Sequence, residues 1–474
     1  MITNDLLENF KKAVKNKKVG VIGIGISNIP AIKYLHNLGA RITALDRNET
    51  LSDEAKELKE SGVQFILGDK YLDSLCDFDY ILRSPGVKPF TPQIEEAIKK
   101  GAKLTSEIEL LIELAPCKII GITGSDGKTT TTTLTAKFLE QAGFKVWLGG
   151  NIGTPLFNKL DEMQPEDVIV LELSSFQLMT LTKSPNISIV TNISPNHLDY
   201  HRSYDEYIEA KENIFLYQQE GKVIFNKDDN MTNKFLNDIT SKDVSCDTSF
   251  FSLLPSDQKG VFYDNGAIYY NSGLDKTLIE HKDNIRLVGM HNIANICAAA
   301  SAVISFAGSQ SIDAIKNVIT TFDGVKHRMQ YIKTVNGVTW YNDSIGTSPS
   351  RTMAGLKSFE EKIILIAGGY DKNIPYDVLG KPILDNVKEL VLLGKTAPKI
   401  EEAVRNAEKE LNIPSNELLN ITTLNSLEEC VNYCHQIAKH GDIVVMSPAS
   451  ASFDMYKNFE QRGDHFISLV NGLN

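Results

Sequence analysis

Short apolar runs separated by amphipathic stretches recur along most of the chain, and this alternation predicts strands and helices in turn, arranged as parallel sheets covered by helices. The first run, KVGVIGIG at 18–25, leads into Gly23-Ile24-Gly25-Ile26-Ser27-Asn28 and a helix carrying Ala31, Leu35 and Leu38. A second strand, ARITALD, ends at Asp46, about twenty residues after the glycines, the spacing of a dinucleotide-binding βαβ unit. Asn28 stands where a third fingerprint glycine belongs, which weakens a nicotinamide reading and keeps a Rossmann-like one. A helix near 53–61, strands at 63–67 and 78–82, and the loop Arg83-Ser84-Pro85-Gly86 continue the pattern to a boundary near 106.

The pattern resumes with KIIGITGSDGKTTTTTL at 118–134. Ile119 to Ile122 read as a buried strand and Thr123 to Thr130 as a turn opening a helix. Glycines in such a turn let backbone N–H groups approach a polyphosphate while the helix presents its positive end. Lys128 supplies a point charge for outer phosphates and Thr129 a hydroxyl for magnesium. A strict P-loop has a glycine five positions before Gly127, where Ile122 stands between Gly121 and Gly124. For the loop alone, an ordinary connection with a surface lysine stays open.

Strands follow at 168–173, ending in Glu172-Leu173-Ser174-Ser175, and at 187–193, ending in Ser194-Pro195-Asn196-His197-Leu198-Asp199. A carboxylate at a strand tip beside a phosphate loop is placed to hold magnesium, which makes Glu172 a candidate. His197 and Asp199 are open to a metal or acid–base role or to that of plain loop residues. Lys211 lies in SYDEYIEAKENIFLY, which by charge pattern reads as a mixed-charge helix face. Residues 222–290 suggest a small β insertion, and Asn292 a helix cap. A hairpin is predicted at Asn336-Gly337. Further strands at 362–369, 387–394 and 442–450 put Gly368–Lys372 and Ser447–Ser452 on one sheet edge. The predicted domains are 1–106, 107–324 and 325–474.

Composition adds exclusions. A hydrophobic content of 42% and a charged content of 23% are those of a globular protein, and a net charge of -11 argues against a nucleic-acid or anionic-membrane binder. Six scattered cysteines form no disulfide scaffold, and Cys430, Cys434 and His435 read as packed helix residues. The first twenty residues read as a polar amphipathic helix without an apolar signal core, and no apolar run approaches bilayer length, so a cytoplasmic location is expected.

Taken together, GITGSDGKTT (121–130), GNIGTP (150–155), LELSSFQL (171–178), TNISPNHLDYH (191–201) with Lys211, HNIANICAA (291–299), HRMQ (327–330), YNDSIGTSP (341–349) and SPASASFDMYKNFEQRG (447–463) resemble the Mur ligase family, ATP-dependent amide ligases of bacterial cell-wall precursors. The resemblance runs from about residue 20 to the end of the chain. It implies an α/β protein of three domains: a Rossmann-like N-terminal domain for a UDP-sugar, a central P-loop ATPase-like domain with a parallel sheet, and a Rossmann-like C-terminal domain for an amino acid. LELSSFQL and the 447–463 stretch resemble the D-glutamate-adding branch. The implied substrates are then ATP, UDP-N-acetylmuramoyl-L-alanine and D-glutamate, joined through an acyl phosphate by a monomeric enzyme.

Carried over by this resemblance, the ATP residues are Gly124, Ser125, Asp126, Gly127, Lys128, Thr129, Thr130, Asn295, Arg328 and Asp343. The UDP-sugar residues are Gly25, Ile26, Ser27, Asp46, Arg47, Ser84, Pro85, Gly86, Asn151 and Ser174. D-Glutamate falls to Thr347, Lys372, Ser452 and Phe459. Lys128, Glu172, His197 and Lys211 are the implied catalytic group. Thr129, Glu172, His197 and Lys211, the lysine carbamylated by carbon dioxide, would serve two magnesium ions. Two positions depart from the family: Gln330 where HRxE is frequent, and Ile345 where Asn-Asp-Ser-Lys is frequent. Another Mur ligase, a folylpolyglutamate-synthase-like ligase, a nicotinamide-dependent oxidoreductase and a catalytically idle nucleotide-gated protein are the alternatives.

Overall fold

The predicted alternation emerges as three sheets in a computed structural model that describes residues 5–242 and 244–474. The first sheet holds β1 (Lys18–Ile22), β2 (Arg41–Asp46), β3 (Gln64–Leu67), β4 (Tyr80–Arg83) and β5 (Lys103–Thr105) in the order β3-β2-β1-β4-β5, all parallel. Val19, Val21 and Ile22 of β1 are all buried, which is why this strand reads as a continuous apolar run. Strand order reverses between β1 and β4, so a crevice opens beyond their carboxyl ends.

The second sheet holds β6 (Lys118–Thr123), β7 (Val146–Gly150), β8 (Val168–Glu172), β9 (Ile187–Val190), β10 (Gln219–Asn226), β11 (Ser245–Ser252), β12 (Gly260–Asp264), β13 (Ala267–Asn271) and β14 (Lys276–His281). Their order is β14-β13-β12-β11-β10-β9-β6-β8-β7, parallel from β7 to β12 and antiparallel for the last two. The small β insertion expected over 222–290 is corrected here. Those strands continue the main sheet, because the buried Val223, Ile224 and Phe225 pair β10 directly onto β9.

The helix Glu107–Leu114 joins the two sheets, and one hydrophobic cluster runs from Val21 and Ile32 through Leu110 and Leu111 to Phe157, Ile169 and Phe215. Its two buried acids hold neighbouring backbone. Glu107 accepts from the Phe157 N–H at 3.2 Å, and Glu109 from the Thr182 N–H at 2.9 Å. Burial pushes the Glu107 carboxyl up to about 7.

The third sheet holds β15 (Gln330–Val335), β16 (Val338–Asn342), β17 (Ile363–Gly368), β18 (Val387–Leu393), β19 (Asn420–Leu424) and β20 (Ile443–Met446) in the order β15-β16-β20-β17-β18-β19. Only β15 and β16 are antiparallel. They are joined at Asn336 (φ 51°) and Gly337 (φ 79°), the positive angles of a tight hairpin turn. The chain up to His281 with Ala294–Val318 forms one compact unit, and Lys282–Ile293 with Ile319–Asn474 a second.

The helix Met290–Ala307 corrects the expectation that no apolar stretch approaches bilayer length. By length and composition it is apolar enough to cross a membrane, and 67% of it is buried inside the protein. Its alanines and serines break up the apolar run in the sequence, while Ala298, Ala299, Ala300, Ala302 and Val303 pack closely in the fold.

Candidate functional site

β6 ends at Thr123, and the chain turns at once into the helix Lys128–Gln141. Gly124 (φ 147°) and Gly127 (φ 80°) make that turn possible, and a Cβ at Gly127 would collide with Asn295 Oδ1. Neighbouring side chains fix the backbone. Asn192 Oδ1 accepts from the Asp126 N–H at 2.9 Å, and the Thr191 hydroxyl donates to the Asp126 carbonyl at 2.6 Å. The Ser125 hydroxyl lies 2.7 Å from that of Tyr207. Lys128 Nζ folds back to donate to the Gly124 and Ser125 carbonyls, each at 2.8 Å. Thr129 and Thr130 occupy the first helical turn, and Thr131 donates to Asn295 Oδ1 at 3.3 Å. The structure thus gathers the whole predicted stretch 124–130 and Asn295 at one corner.

Glu172 ends β8, paired across from Ile122 of β6. Asn151 Nδ2 donates to its Oε1 at 2.7 Å, and its Oε2 is buried without a hydrogen-bond partner. An orphaned carboxylate oxygen beside a phosphate loop fits a hard divalent cation. Thr129 adds a neutral oxygen at the helix start. This donor set suits magnesium, which takes few carboxylates and completes its shell with water and phosphate oxygens. Among the described residues no group of three His, Cys, Asp or Glu forms a ready metal cage. Ser174 caps the helix Ser175–Leu178 reciprocally with Gln177, so Asn151 and Ser174 flank Glu172.

Lys211 corrects its expected place on an exposed helix face. Its side chain is 1% exposed and donates to the Gly124 carbonyl at 2.8 Å and Thr123 Oγ1 at 3.2 Å, with Tyr207 one helical turn before it 4.8 Å from the ammonium. No carboxylate among the described residues forms an ion pair with it. Burial, reinforced by the positive charge of Lys128, holds its pKa well below the usual lysine range and favours the neutral amine.

His197 is exposed, has φ 56°, and packs edge-on to Phe176 with ring centroids 4.9 Å apart. Burial and Lys128 lower its pKa. His201 is the buried histidine of this loop, with Nε2 2.9 Å from Ser175 Oγ.

The corner after β1 is built differently. Gly23 (φ 88°) presses against Ser84, where a side chain would collide, and Gly25, Ile26 and Ser27 complete the turn with Ile26 86% exposed. Buried Asn28 donates to the Gly23 carbonyl at 2.8 Å and the Ile22 carbonyl at 3.2 Å, closing the turn from within. Asp46 accepts from the Ile24 N–H at 2.7 Å and the Asn48 N–H at 2.8 Å. Arg47 is exposed and 3.3 Å from Asp69. Ser84, Pro85 and Gly86 follow β4, so both predicted loops meet at the point where strand order reverses.

In the second unit, Thr347, Lys372 and Ser452 lie on loops beyond β16, β17 and β20, with Phe459 opening the helix Phe459–Asn471. Lys372 Nζ donates to the Thr347 carbonyl at 3.4 Å, and the Tyr370 N–H to the Ala451 carbonyl at 2.8 Å. Asp343 is buried, accepting from the Met329 N–H at 3.2 Å and from Ser447 Oγ at 2.7 Å, and burial pushes its carboxyl up to about 6. The charges of Arg328 and Arg351 pull the other way.

Gln330 Oε1 accepts from the His327 N–H at 3.0 Å, a task that needs no carboxylate charge. At the second departure, Arg351 donates to the Ile345 carbonyl at 3.2 Å. Sequence reasoning named neither Arg351 nor Arg462. The buried Arg462 ties these loops together, donating to Ser344 Oγ at 3.0 Å, the Ser344 carbonyl at 2.8 Å, and the Ser450 and Ala451 carbonyls at 3.1 Å each. Arg462 stands only three residues past Phe459, but nothing in its local pattern signals a reach to Ser344, 118 residues away.

Family comparison agrees with this partition into three sheets. Residues 17–106 match the Mur ligase MurD-like N-terminal domain, 122–303 the Mur ligase middle domain, and 327–450 the Mur ligase glutamate ligase domain. The chain is 47% identical over 473 residues, 99% of its own length and 99% of the relative's, to a protein of Acetivibrio thermocellus named UDP-N-acetylmuramoylalanine--D-glutamate ligase. It is also 47% identical to a protein of that name from Ruminiclostridium cellulolyticum, over 99% of this chain and 100% of the other. In fold it is similar to the crystal structure of the UDP-N-acetylmuramate-alanine ligase of Thermotoga maritima, with a TM-score of 0.55 at 17% identity over 96% of this chain and 99% of that one.

Proposed function

This chain belongs to the Mur ligase family, and from that premise we propose that it joins D-glutamate to UDP-N-acetylmuramoyl-L-alanine with cleavage of ATP, in the cytoplasmic synthesis of peptidoglycan precursors. The observation that carries this reading is the end-to-end likeness to D-glutamate ligases. We divide the chain into a UDP-sugar domain at 1–106, an ATP domain at 107–324 and an amino-acid domain at 325–474, acting as a monomer.

A free carboxylate is a poor acylating group because its leaving group would be oxide. Transfer of the γ-phosphoryl group of ATP to the L-alanyl carboxylate breaks the bond between the γ-phosphorus and the oxygen shared with the β-phosphate, releases ADP and gives an acyl phosphate. The neutral D-glutamate amine then attacks its carbonyl carbon, the new C–N bond forms, the nitrogen loses a proton, and phosphate departs with the C–O electron pair. Several anions must be held together for this, and stabilising their charge is the main task of the protein. Lys128 exchanges its two loop carbonyls for β- and γ-phosphate oxygens, and the N–H groups of 124–130 cradle the chain of phosphates. Asn295 holds the loop from the side. Thr129, Glu172, His197 and Lys211 would hold magnesium, two ions in this reading, which when bound neutralise the phosphates and the acceptor carboxylate.

The neutral amine of Lys211 is suited to carbamylation. Its nitrogen lone pair attacks the carbon of CO2, an N–C bond forms, one proton is released, and an ammonium site becomes an anion able to serve a metal. Asn151 and Ser174 are assigned to the muramyl-alanine end beside Glu172. Gly25, Ile26, Ser27, Asp46, Arg47 and residues 84–86 are assigned to the UDP-sugar. Arg328 and Asp343 are assigned to ATP. Thr347, Lys372, Ser452 and Phe459 are assigned to D-glutamate, with Lys372 facing a carboxylate.

Phosphate release from ATP and magnesium is expected only when both UDP-N-acetylmuramoyl-L-alanine and D-glutamate are present. Release with L-glutamate and a folate instead would overturn the substrate assignment. A gain of one carbamate in the mass of the Lys211 peptide under bicarbonate checks the lysine chemistry.

A further inference from the structure

The segment 83–90 belongs to the first sheet, yet its shape is held from the central one. Arg83, at the end of β4, is 1% exposed. Its Nη1 donates to the carbonyls of Ser84 at 3.3 Å, Pro85 at 3.4 Å and Val87 at 2.6 Å. Its Nη2 reaches across to the Phe176 carbonyl at 2.9 Å and to Thr180 Oγ1 at 3.3 Å. No carboxylate among the described residues forms an ion pair with this guanidinium, and its Nε is buried without a partner. A second point of attachment comes from the loop after β9, where the Tyr200 hydroxyl donates to the Pro85 carbonyl at 2.8 Å. Lys88 lies 5.4 Å from the Tyr200 ring and Arg202 4.3 Å from that of Phe90.

A buried cation without a counter-ion does not improve stability over an apolar side chain of similar volume. What a guanidinium adds is a rigid planar fork that fixes the directions of several acceptors at once. Here those acceptors are the carbonyls of 84, 85 and 87 on one side and of 176 on the other. The Phe176 ring in turn lies 4.2 Å from that of Tyr200 and 4.9 Å from that of His197.

We propose that Arg83 and Tyr200 are positioning residues that clamp the 84–86 loop onto the central domain, so that affinity for the nucleotide-sugar is set partly by groups that do not touch it. This rests on the assignment of 84–86 to the UDP-sugar. The same clamp carries the loop's position to the Phe176 carbonyl, two residues from Ser174 and four from Glu172 in the chain.

The test is calorimetric titration of the full chain with UDP-N-acetylmuramoyl-L-alanine and, separately, with magnesium–ATP, for wild type, Tyr200→Phe, Arg83→Lys and the double variant. Loss of one hydrogen bond in Tyr200→Phe is expected to weaken nucleotide-sugar binding about three- to tenfold, with ATP affinity and melting temperature unchanged. Arg83→Lys, which keeps the charge and loses the fork, is expected to weaken it about tenfold or more, and the double variant less than the product of the two, because both act on one loop. Should Arg83→Lys fail to fold, Tyr200→Phe alone decides. Unaltered binding in Tyr200→Phe, or a parallel fall of both affinities with the melting temperature, would overturn the clamp. Wild-type protein that does not bind the nucleotide-sugar would overturn the underlying substrate assignment instead, and the clamp with it.

Discussion

Two glycine-bearing corners of the first unit, Gly23–Asn28 after β1 and Gly124–Lys128 after β6, share a plan of parallel strand, tight turn and helix at a point where strand order reverses. They differ in what satisfies their polar groups. At the first, Asn28 closes the turn and Asp46 accepts two backbone N–H groups, so the corner is complete by itself. At the second, Glu172 keeps a buried oxygen without a donor, and buried Lys211 forms no ion pair with a carboxylate among the described residues. The second concentrates buried charge of the kind that phosphates and a divalent cation would offset, which under the proposed function makes it the chemical corner and the first the nucleotide-sugar surface.

The sharpest way to break this comparison is Lys128→Ala, which removes the cation folded onto the loop of the charged corner. Phosphate release is expected to fall by about a thousandfold or more, and a near-normal rate would place the chemistry elsewhere.

Lys211→Met comes next and separates function from stability. Turnover should be lost, while the ligand-free protein should become more stable, read by denaturant titration, since a buried amine whose protonation is penalised by desolvation is replaced by an apolar chain. The pH dependence has a definite sign. The folded pKa of Lys211 is depressed, so the unfolded chain binds more protons between that value and about 10.4. Wild-type stability should therefore rise with pH through this window, and Lys211→Met should flatten the rise.

At the self-satisfied corner the expectation is reversed. Asn28→Ala removes the side-chain donor to the Gly23 carbonyl and one of two donors to the Ile22 carbonyl, which keeps the Ser84 N–H, and should cost about 1–3 kcal/mol of stability in the same titration with ATP affinity unchanged. Arg47→Ala removes only an exposed ion pair, and its melting temperature should match wild type. A clear drop would mean that the first corner depends on surface charge after all.

Much of this was legible along the chain because it depends on neighbours in sequence. The strand runs, the Asn336-Gly337 hairpin and the Gly127-Lys128-Thr129 turn follow from local periodicity and backbone preference. Lys211 was not legible from its own helix, where acids on either side suggest an exposed face. Its burial comes from β6 and the phosphate loop, far away in sequence. The same holds for Arg83, Arg462 and His201, whose partners lie 93, 118 and 26 residues away. The stretch 222–290 looked like an insertion because short strands with turn residues between them carry no mark of which sheet they extend.

The sequence by itself determined the strand–helix alternation, the positions of the glycine turns, and, through the ensemble of motifs, the family. Those features are encoded locally, in side-chain period and in the few residues that tolerate positive φ. Only the tertiary structure decided which charges are buried and who satisfies them, because desolvation and hydrogen-bond partnership depend on strands and helices distant in the chain. That is why two corners written in similar glycines end differently, one closed by its own asparagine and the other left with a buried carboxylate oxygen without a hydrogen-bond partner.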